Sequence, residues 1–206
     1  MGNLIPKRRK RSVLVVGLDG CGKTTLITNL KGVQERCLFE AQQTSCQTLP
    51  TSVLQLIEYQ TRDFDRNMRP ERCSWQIWDM SGQGKYRQLW HLYAGQVDGI
   101  IFVIDLCDAK RIAVVHKELK LLLTCERIRN SLNPVPIAFC LNKKALATDL
   151  ISNGKEQQVL NEDEARRGIT FDELHGPNIN AVLLPWHCGE DFNAALDLIA
   201  RHTSLN

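Results

Sequence analysis

The sequence lacks the features that define several protein classes. It contains no uninterrupted apolar run of the roughly 20 residues that a membrane-spanning helix needs. A charged stretch follows Pro6 where a secretory signal would have its apolar segment, so we expect no signal peptide. The sequence has no internal repeat, and its only biased segment is one short basic run. With 206 residues, 43% of them hydrophobic and 24% charged, the chain has the composition of a single globular domain.

The cysteines and histidines form no metal-binding spacing. None of the eight cysteines belongs to a C-x-x-C pair, and the five histidines show neither metal nor catalytic spacing. Several cysteines stand inside apolar stretches such as VIDLC and PIAFC. We interpret them as reduced, mostly buried thiols of a cytoplasmic protein.

The positive charge of the chain is concentrated near its beginning. Lysine and arginine number 26 against 23 acidic residues, and five of the 26 form the run Lys7-Arg8-Arg9-Lys10-Arg11. The 21 basic residues that remain are slightly outnumbered by the acidic ones. We therefore predict no nucleic-acid partner for the globular part. The expected organisation is a basic tail at residues 1–11 and one domain at residues 12–206.

Short apolar runs alternate with helical patterns along the chain. The six runs are SVLVVG (12–17), SVLQLIEY (52–59), SWQIWD (74–79), GIIFVID (99–105), PIAFCLN (136–142) and AVLLPW (181–186). The clearest helical patterns cover residues 22–31, 109–127 and 190–202. This alternation predicts a three-layer α/β fold with a mostly parallel, six-stranded sheet. The second and third runs predict an antiparallel hairpin at one sheet edge, with a long charged loop at residues 60–72.

The strongest motif is GLDGCGKT at residues 17–24, a G-x-x-x-x-G-K-[ST] pattern between a strand and a helix. Glycines let backbone N–H groups approach a phosphate, and the helix N-terminus favours negative charge. Lys23 would reach the β- and γ-phosphates, and the Thr24 hydroxyl would bind Mg²⁺. The alternative interpretation is a tight glycine-rich turn. The predicted nucleotide-binding residues of this loop are Asp19, Gly20, Cys21, Gly22, Lys23, Thr24 and Thr25.

A second group of residues is predicted for the magnesium and γ-phosphate side. Asp79 ends a strand and would supply a carboxylate to Mg²⁺, while the backbone N–H of Gly82 would meet the γ-phosphate. Gln83 follows and is the catalytic candidate, because its amide can orient an attacking water. The Thr51 hydroxyl is a further candidate Mg²⁺ ligand, with a plain strand-start residue as the alternative.

These motifs together resemble the ADP-ribosylation factor (Arf) branch of the small GTPases. The matching stretches are GLDGCGKTT (17–25), LPT (49–51), WDMSGQGKYRQLW (78–90), Tyr93, GIIFVID (99–105) and Asn142-Lys143. Within that branch, DMSGQGKYRQLW is similar to the Arf-like group associated with cilia and Bardet–Biedl syndrome. The resemblance implies a P-loop small-GTPase fold, GTP/GDP and Mg²⁺ as ligands, and a nucleotide-dependent switch that recruits effectors at membranes.

The resemblance also implies roles that spacing alone does not give. Thr51 would be the first-switch threonine, residues 82–90 the second switch, and residues 52–78 an interswitch hairpin that slides along the sheet. Leu54, Trp78 and Tyr93 would form an apolar effector patch, with core packing as the alternative. The implied partners are an exchange factor, an activating protein and a coat or adaptor effector, by resemblance a ciliary coat. No arginine is placed by the sequence to act in cis, so hydrolysis is expected to be slow and partner-dependent.

The base-reading motif of the family, Asn-Lys-x-Asp, is altered here. The chain reads Asn142-Lys143-Lys144-Ala145, so Asn142 and Lys143 are retained while the carboxylate that reads guanine is missing. Trp186 stands where the family has a small residue. Two hypotheses follow: a GTPase switch with weakened guanine selection, or a nucleotide-stabilised interaction module that no longer cycles.

The start of the chain carries possible membrane signals. Gly2 after the initiating methionine resembles a myristoylation site, and a basic run adds attraction to an anionic membrane surface. We therefore expect a cytoplasmic, peripheral membrane location, including the base of a cilium or flagellum. A solvated tail and a nuclear-import patch are the alternatives.

Overall fold

The computed structural model describes residues 9–30, 34–35, 53–64, 70–124, 126–129, 135–170, 181–183, 187–188 and 192–205. Three predicted site residues, Gly2, Thr51 and Trp186, lie outside these ranges.

Strands and helices alternate along the described chain. The strands are Arg9–Val16 (β1), Gln34–Glu35 (β2), Leu54–Phe64 (β3), Pro70–Met80 (β4), Gly99–Asp105 (β5), Val135–Asn142 (β6), Ala181–Leu183 (β7) and His187–Cys188 (β8). The α-helices are Lys23–Thr28 (α1), Trp90–Ala94 (α2), Ile112–Leu123 (α3), Glu126–Arg129 (α4), Lys144–Ser152 (α5), Glu162–Gly168 (α6) and Phe192–Leu205 (α7). Short 3₁₀ helices cover Gly84–Leu89, Ala109–Arg111 and Glu156–Gln158. None of the described helices has the length and apolarity to cross a membrane.

All described strands belong to one sheet, in the order β2-β3-β4-β1-β5-β6-β7, with β8 also beside β6. β4, β1, β5, β6, β7 and β8 are joined by parallel pairings, whereas β2, β3 and β4 are antiparallel. The predicted α/β fold with one antiparallel edge hairpin is confirmed. The described chain has eight strands where six were predicted. The two-residue β2 adds to the edge, and the last predicted run, 181–186, contains only β7. β8 directly follows that run, and β7 and β8 pair with opposite ends of β6.

The sheet separates two apolar clusters, as a three-layer fold requires. Leu14 and Val16 of β1 face the cluster that contains the buried residues of α3, whereas Val13 and Val15 face the cluster that contains those of α1 and α7. This alternation is the two-residue period of a strand. Every residue of β5 and β6 is buried, because helices cover both faces of these central strands. The apolar runs of the sequence therefore form the core.

The edge hairpin is longer than the sequence predicted. β3 and β4 are paired from Leu54–Met80 to Phe64–Pro70, so the loop expected at residues 60–72 shortens to residues 65–69 between the strands. The hydroxyl of Thr61 accepts a hydrogen bond of 3.0 Å from the indole Nε1 of Trp75 on the facing strand. Among the described residues, the pairs from Arg62–Arg72 to Phe64–Pro70 lie beyond the start of β1, so there the two strands pair only with each other.

The first strand begins at Arg9, three residues before the predicted domain boundary at residue 12. Arg9, Lys10 and Arg11 lie opposite residues 73–75 of β4. Arg11 is only 4% exposed, and its guanidinium carbon lies 5.6 Å from the centroid of the Trp75 ring. A cation over an aromatic face is attracted to it, and the arginine stem packs as an apolar group. Three of the five basic residues of the predicted tail are therefore strand residues.

We expect Gly99→Ala to destabilise the fold by about 1–3 kcal/mol, because β5 packs closely against α7 at this point. A Cβ at Gly99 would lie 2.5 Å from Cγ2 of Ile199, which is fully buried and cannot move aside freely. Urea unfolding measures this loss. Gly84→Ala is the matched control, because a Cβ at Gly84 meets no atom within 4 Å. Equal stability of the two variants would contradict the close packing of β5 on α7.

Candidate nucleotide-binding site

The phosphate loop connects the end of β1 to the start of α1. Gly20 and Gly22 have φ angles of 75° and 88°, a left-handed conformation that other residues rarely adopt. A Cβ at Gly22 would also lie 2.4 Å from the side-chain nitrogen of Asn142. Glycine is therefore required at position 22 for two reasons, the left-handed backbone conformation and the close approach of Asn142 at the end of β6.

The lysine of the motif lies inside the loop. Lys23 is 6% exposed, and its Nζ donates hydrogen bonds of 2.9 Å to the carbonyl oxygens of Gly17 and Leu18. The same ammonium lies 3.7 Å from Sγ of Cys21. Burial raises the pKa of the Cys21 thiol, although the positive charge of Lys23 opposes this effect. The thiol stays protonated at neutral pH, so the loop keeps its positive charge for an anionic ligand.

Thr24 and Asp79 meet at the mouth of the loop. The Thr24 hydroxyl donates a hydrogen bond of 2.6 Å to Oδ2 of Asp79, which is fully buried at the end of β4. The parallel pairing of β1 and β4 places Asp79 opposite Val15, and so brings these distant residues to the same sheet edge. Hydroxyl and carboxylate oxygens are the hard ligands that Mg²⁺ prefers. The pair therefore fits the predicted magnesium site.

The described residues contain no cluster of three or more His, Cys, Asp or Glu side chains that could hold a metal ion. Mg²⁺ at phosphate-binding sites commonly uses one or two protein oxygens and completes its octahedron with water and substrate phosphates. The Thr24–Asp79 pair is thus the kind of partial ligand set that such a site needs, rather than a self-sufficient metal centre.

Gly82 lies directly on the backbone of the phosphate loop. Its carbonyl oxygen accepts a hydrogen bond of 3.1 Å from the backbone N–H of Asp19. A Cβ at Gly82 would lie 2.4 Å from both that nitrogen and the carbonyl oxygen of Gly17, so only glycine fits. Gln83 follows immediately and is partly exposed, with its backbone N–H 3.4 Å from Oγ of Ser81. The structure thus brings the catalytic candidate next to the loop.

Two arginines that the sequence interpretation missed converge on Asp19. Arg87 donates through Nε to the carbonyl oxygen of Gly82 at 2.8 Å and through Nη2 to Asp19 Oδ1 at 3.0 Å. Arg111 donates to the same carboxylate oxygen and to the Asp19 carbonyl oxygen, both at 3.0 Å. Arg87 also contacts Glu118 of α3 at 3.4 Å. These contacts span 68 and 92 residues of sequence, so no local pattern could reveal them.

The charge of Asp19 is set by its two arginine neighbours. Burial alone would raise the pKa of this carboxyl, but the charge of Arg111 and the hydrogen bonds from Arg87 and Arg111 outweigh that effect and hold the pKa below its usual value. Asp19 is therefore an anion at neutral pH. Its charge is balanced by Arg87 of the 3₁₀ helix Gly84–Leu89 and by Arg111, which directly precedes α3.

The two retained residues of the base-reading motif, Asn142 and Lys143, both make specific contacts. The Asn142 amide, 6% exposed, donates a hydrogen bond of 2.8 Å to the carbonyl oxygen of Cys21. Lys143 adopts a left-handed φ of 64°, and its Nζ lies 2.6 Å from Oδ2 of Asp105 at the end of β5. The other Asp105 oxygen accepts a hydrogen bond of 2.8 Å from the backbone N–H of Cys107. β6 thus holds the phosphate loop from the side opposite to β4.

The missing carboxylate is not replaced by its nearest candidate. Ala145 is exposed on the first turn of α5. Asp149 is also exposed, four residues further, which is about 6 Å along the helix axis. The Asp149 carboxylate lies one helical turn beyond Ala145, so it does not occupy the position of the missing carboxylate. Trp186 lies outside the described residues.

The predicted effector patch lies at the rim of one apolar cluster. Leu54, Trp78 and Tyr93 are all partly buried against it. The rings of Trp78 and Tyr93 meet edge to face, with centroids 5.5 Å apart and an interplanar angle of 69°. These side chains therefore contribute to packing and also present exposed apolar surface, so the two interpretations offered by the sequence are compatible.

The mostly parallel sheet with a phosphate loop between β1 and α1 is the fold of the P-loop small GTPases. The chain belongs to the ADP-ribosylation factor family, whose sequence model matches residues 1–172. It is similar to ADP-ribosylation factor-like protein 6 of Danio rerio, with 35% identity over 154 residues, 75% of this chain and 72% of the relative. It is also similar to ADP-ribosylation factor-like protein 1 of Caenorhabditis elegans, with 28% identity over 192 residues, 93% of this chain and 88% of the relative.

One solved structure shares the fold over almost the whole chain. The Arl6 (BBS3) small GTPase from Trypanosoma brucei, solved with the nucleotide analogue GppNp, matches with a TM-score of 0.62. The match covers 94% of this chain and 99% of that protein at 24% sequence identity, so it supports the fold alone.

We expect Asn142→Ala to lower the free energy of unfolding by about 1–3 kcal/mol, because the buried Cys21 carbonyl loses its hydrogen-bond donor. Urea unfolding provides the measurement. Asn153→Ala is the matched control, since that amide donates at the same 2.8 Å distance to Asp149 of its own helix but is exposed to water. A loss of the same size in both variants would argue against a specific link between β6 and the phosphate loop.

Proposed function

We propose that this protein is a GTP-dependent, Mg²⁺-dependent molecular switch whose phosphate-binding half is complete and whose guanine-reading half is weakened. The observation that supports this most directly is the 2.6 Å contact between Thr24 and Asp79 at the mouth of a glycine-rich loop. Two chain segments 55 residues apart meet there with the oxygen ligands that a magnesium–triphosphate complex needs.

The proposed roles rest on the geometry of the loop and, for Thr51, on the sequence alone. Lys23 and the loop N–H groups would bind the phosphates, and Thr24, Asp79 and Thr51 would hold Mg²⁺. The ion would supply positive charge that offsets the charge of the β- and γ-phosphates. The Gly82 N–H would sense the γ-phosphate, and Gln83 would orient the attacking water.

Slow intrinsic hydrolysis is part of the proposal. Arg87 and Arg111 lie beside the phosphate loop, but both are engaged by Asp19, and Arg87 also binds the Gly82 carbonyl. Arginines held by a carboxylate are poorly placed to stabilise charge that develops on a transferring phosphate. An activating protein would therefore supply a further arginine, and an exchange factor would release the product GDP.

The base half of the site sets the selectivity. A carboxylate at position 145 would accept hydrogen bonds from guanine, and each bond to a charged acceptor contributes roughly 1.5–3 kcal/mol. Its absence should reduce discrimination for guanine by about tenfold to several thousandfold. Alanine in place of this carboxylate at position 145 also supports a second candidate function, a nucleotide-stabilised interaction module that binds nucleotide without cycling. Measurable hydrolysis of bound GTP distinguishes the switch from that module.

The cellular role proposed for the switch follows the family pattern. Leu54, Trp78 and Tyr93 would contact an effector, with the coat or adaptor of a ciliary trafficking route as the candidate suggested by the similarity to ADP-ribosylation factor-like protein 6. Membrane association would come from an acyl chain on Gly2 and from basic side chains near it. The proposed location is the cytoplasmic face of a membrane, including the base of a cilium or flagellum.

We expect Lys23→Ala to weaken GTP binding by roughly a hundredfold or more, because two or more charge-assisted hydrogen bonds to phosphate would be lost. Fluorescent-nucleotide titration and chromatography of the nucleotide that copurifies with the protein measure this effect. Lys117→Ala, at an exposed position on α3, is the matched control. Unchanged nucleotide retention in Lys23→Ala would overturn the proposed site.

We expect Ala145→Asp to raise the preference for GTP over XTP and ATP by about tenfold or more, because it restores an acceptor for the guanine N1–H and 2-amino groups. The position is exposed in the first turn of α5, where a negative charge is also favourable. Competition of unlabelled nucleotides against labelled GTP gives the ratio. Ala113→Asp, exposed on α3, controls for added charge, and a ratio unchanged by Ala145→Asp would refute the weakened base site.

A further inference from the structure

The phosphate loop carries a carboxylate close to the place proposed for the γ-phosphate. Asp19 is the third residue of the loop motif, and its side chain is 50% exposed. Its backbone N–H donates a hydrogen bond of 3.1 Å to the carbonyl oxygen of Gly82, the glycine proposed to contact the γ-phosphate. A negative charge at this point acts on a nearby phosphate, because charges interact more strongly beside a protein surface than in bulk water. The partners of the Asp19 carboxylate therefore bear on how tightly a triphosphate binds.

Asp19 belongs to a group of five charged side chains, which we call the Asp19 cluster. Two guanidinium groups and three carboxylates are joined in it by contacts of 2.5–3.4 Å, and its members are Asp19, Arg87, Asp108, Arg111 and Glu118. With every group ionised, the cluster has one net negative charge, the opposite of the charge that a phosphate ligand favours. The side chains of Arg87 and Glu118 are only 12% and 18% exposed, so salt screens their charges less than those of a surface pair.

Both arginines of the cluster share one acceptor atom. Nη2 of Arg87 and Nη1 of Arg111 each donate to Oδ1 of Asp19 at 3.0 Å. Guanidinium groups bind carboxylate and phosphate oxygens by the same charge-assisted hydrogen bonds. A phosphate oxygen beside this cluster is therefore an alternative acceptor for the same N–H groups.

The two arginines differ in how firmly they are held. Arg87 is largely enclosed, and its Nε donates at 2.8 Å to the Gly82 carbonyl oxygen, so it is fixed to the loop. Arg111 is 36% exposed, and both of its Nη atoms donate to Asp19, one to the carboxylate and one to the backbone carbonyl oxygen. Its Nε is paired with Asp108 at 2.5 Å, three residues earlier in the chain. Asp108 can therefore keep the Arg111 guanidinium beside the loop while the Nη atoms turn to another acceptor.

We propose that Asp19 and Arg111 set the preference of the site for GTP over GDP, because the Asp19 carboxylate competes with the γ-phosphate for the Nη atoms of Arg111. GDP lacks the third phosphate and does not enter this competition. A site of this design binds GTP less tightly than its phosphate loop alone would allow, by the amount that it takes to separate Arg111 from Asp19. The inference rests on the proposed function and adds two residues that determine which nucleotide the site prefers.

The ratio of the dissociation constants for GDP and GTP tests the competition. Asp19→Asn keeps the size of the side chain and removes its charge, so it should shift the ratio about tenfold in favour of GTP. Arg111→Gln removes the guanidinium and should shift the ratio about tenfold in favour of GDP. Titration of the full chain with fluorescent GDP and a fluorescent, non-hydrolysable GTP analogue, both with Mg²⁺, gives the two constants. A variant that is merely less stable loses affinity for both nucleotides alike, so its ratio stays unchanged.

Two exposed residues at the opposite edge of the sheet provide matched controls for the change of charge. Glu126 follows α3, which begins beside the loop and extends about 18 Å from it. Arg201 lies two residues after Ile199, which packs against Gly99 at the start of β5, whereas the loop lies where the parallel strands end. Glu126→Gln and Arg201→Gln should each leave the ratio within about twofold of the wild type.

The double variant distinguishes competition from independent charge effects. If Asp19 acts by holding Arg111, then Asp19→Asn should change the ratio by no more than about threefold in the Arg111→Gln background, because the guanidinium that it releases is absent. A gain of about tenfold in both backgrounds would show that the two charges act independently, and it would overturn the competition.

The remaining outcomes separate this inference from the function on which it rests. An unchanged ratio in Asp19→Asn or in Arg111→Gln, with nucleotide binding intact, would refute the competition alone. A shift of the same size in Glu126→Gln or Arg201→Gln would also refute it, because any change of charge would then suffice. A wild-type chain that binds neither nucleotide would refute the proposed function itself, and the competition with it.

Discussion

The structure depends on keeping one short backbone segment open to an anion. The loop between β1 and α1 can present its N–H groups only if some of its residues adopt left-handed conformations, which Gly20 and Gly22 supply. Gly22 also leaves room for the side chain of Asn142. Every surrounding contact then supports that segment. Asn142 holds the Cys21 carbonyl from β6, Gly82 lies on the Asp19 backbone from β4, and parallel pairing brings these strand ends to one edge.

The parts of the site that sequence could predict are those that backbone chemistry makes obligatory. The motif at residues 17–24, Asp79 at a strand end and Gly82 three residues later carry their roles in their spacing, and the structure brings them together. The network around Asp19 could not be predicted, because Arg87 and Arg111 reach it across long sequence separations and guanidinium groups leave no periodic signal. Their position depends on how α3 and the 3₁₀ helix Gly84–Leu89 pack on the loop.

The differences from the predicted fold have a common physical reason. The sequence pattern predicts that strands end at charged residues, at the basic run before residue 12 and at the hairpin loop 60–72. In the structure, Arg11 continues β1 with its guanidinium over the Trp75 ring, and β3 and β4 continue to Phe64 and from Pro70 because the two strands pair with each other beyond the start of β1. Hydrophobic patterning locates the middle of a sheet well, but cross-strand partners determine where its edges end.

The burial of Arg11 also changes the electrostatics by which this protein would approach a lipid bilayer. Each basic side chain at an anionic headgroup layer contributes about 1 kcal/mol, and only while it can reach that layer. The buried Arg11 guanidinium makes no such contribution, so the run of five basic residues attracts the bilayer less than its composition suggests. The electrostatic attraction that remains would be readily screened by salt.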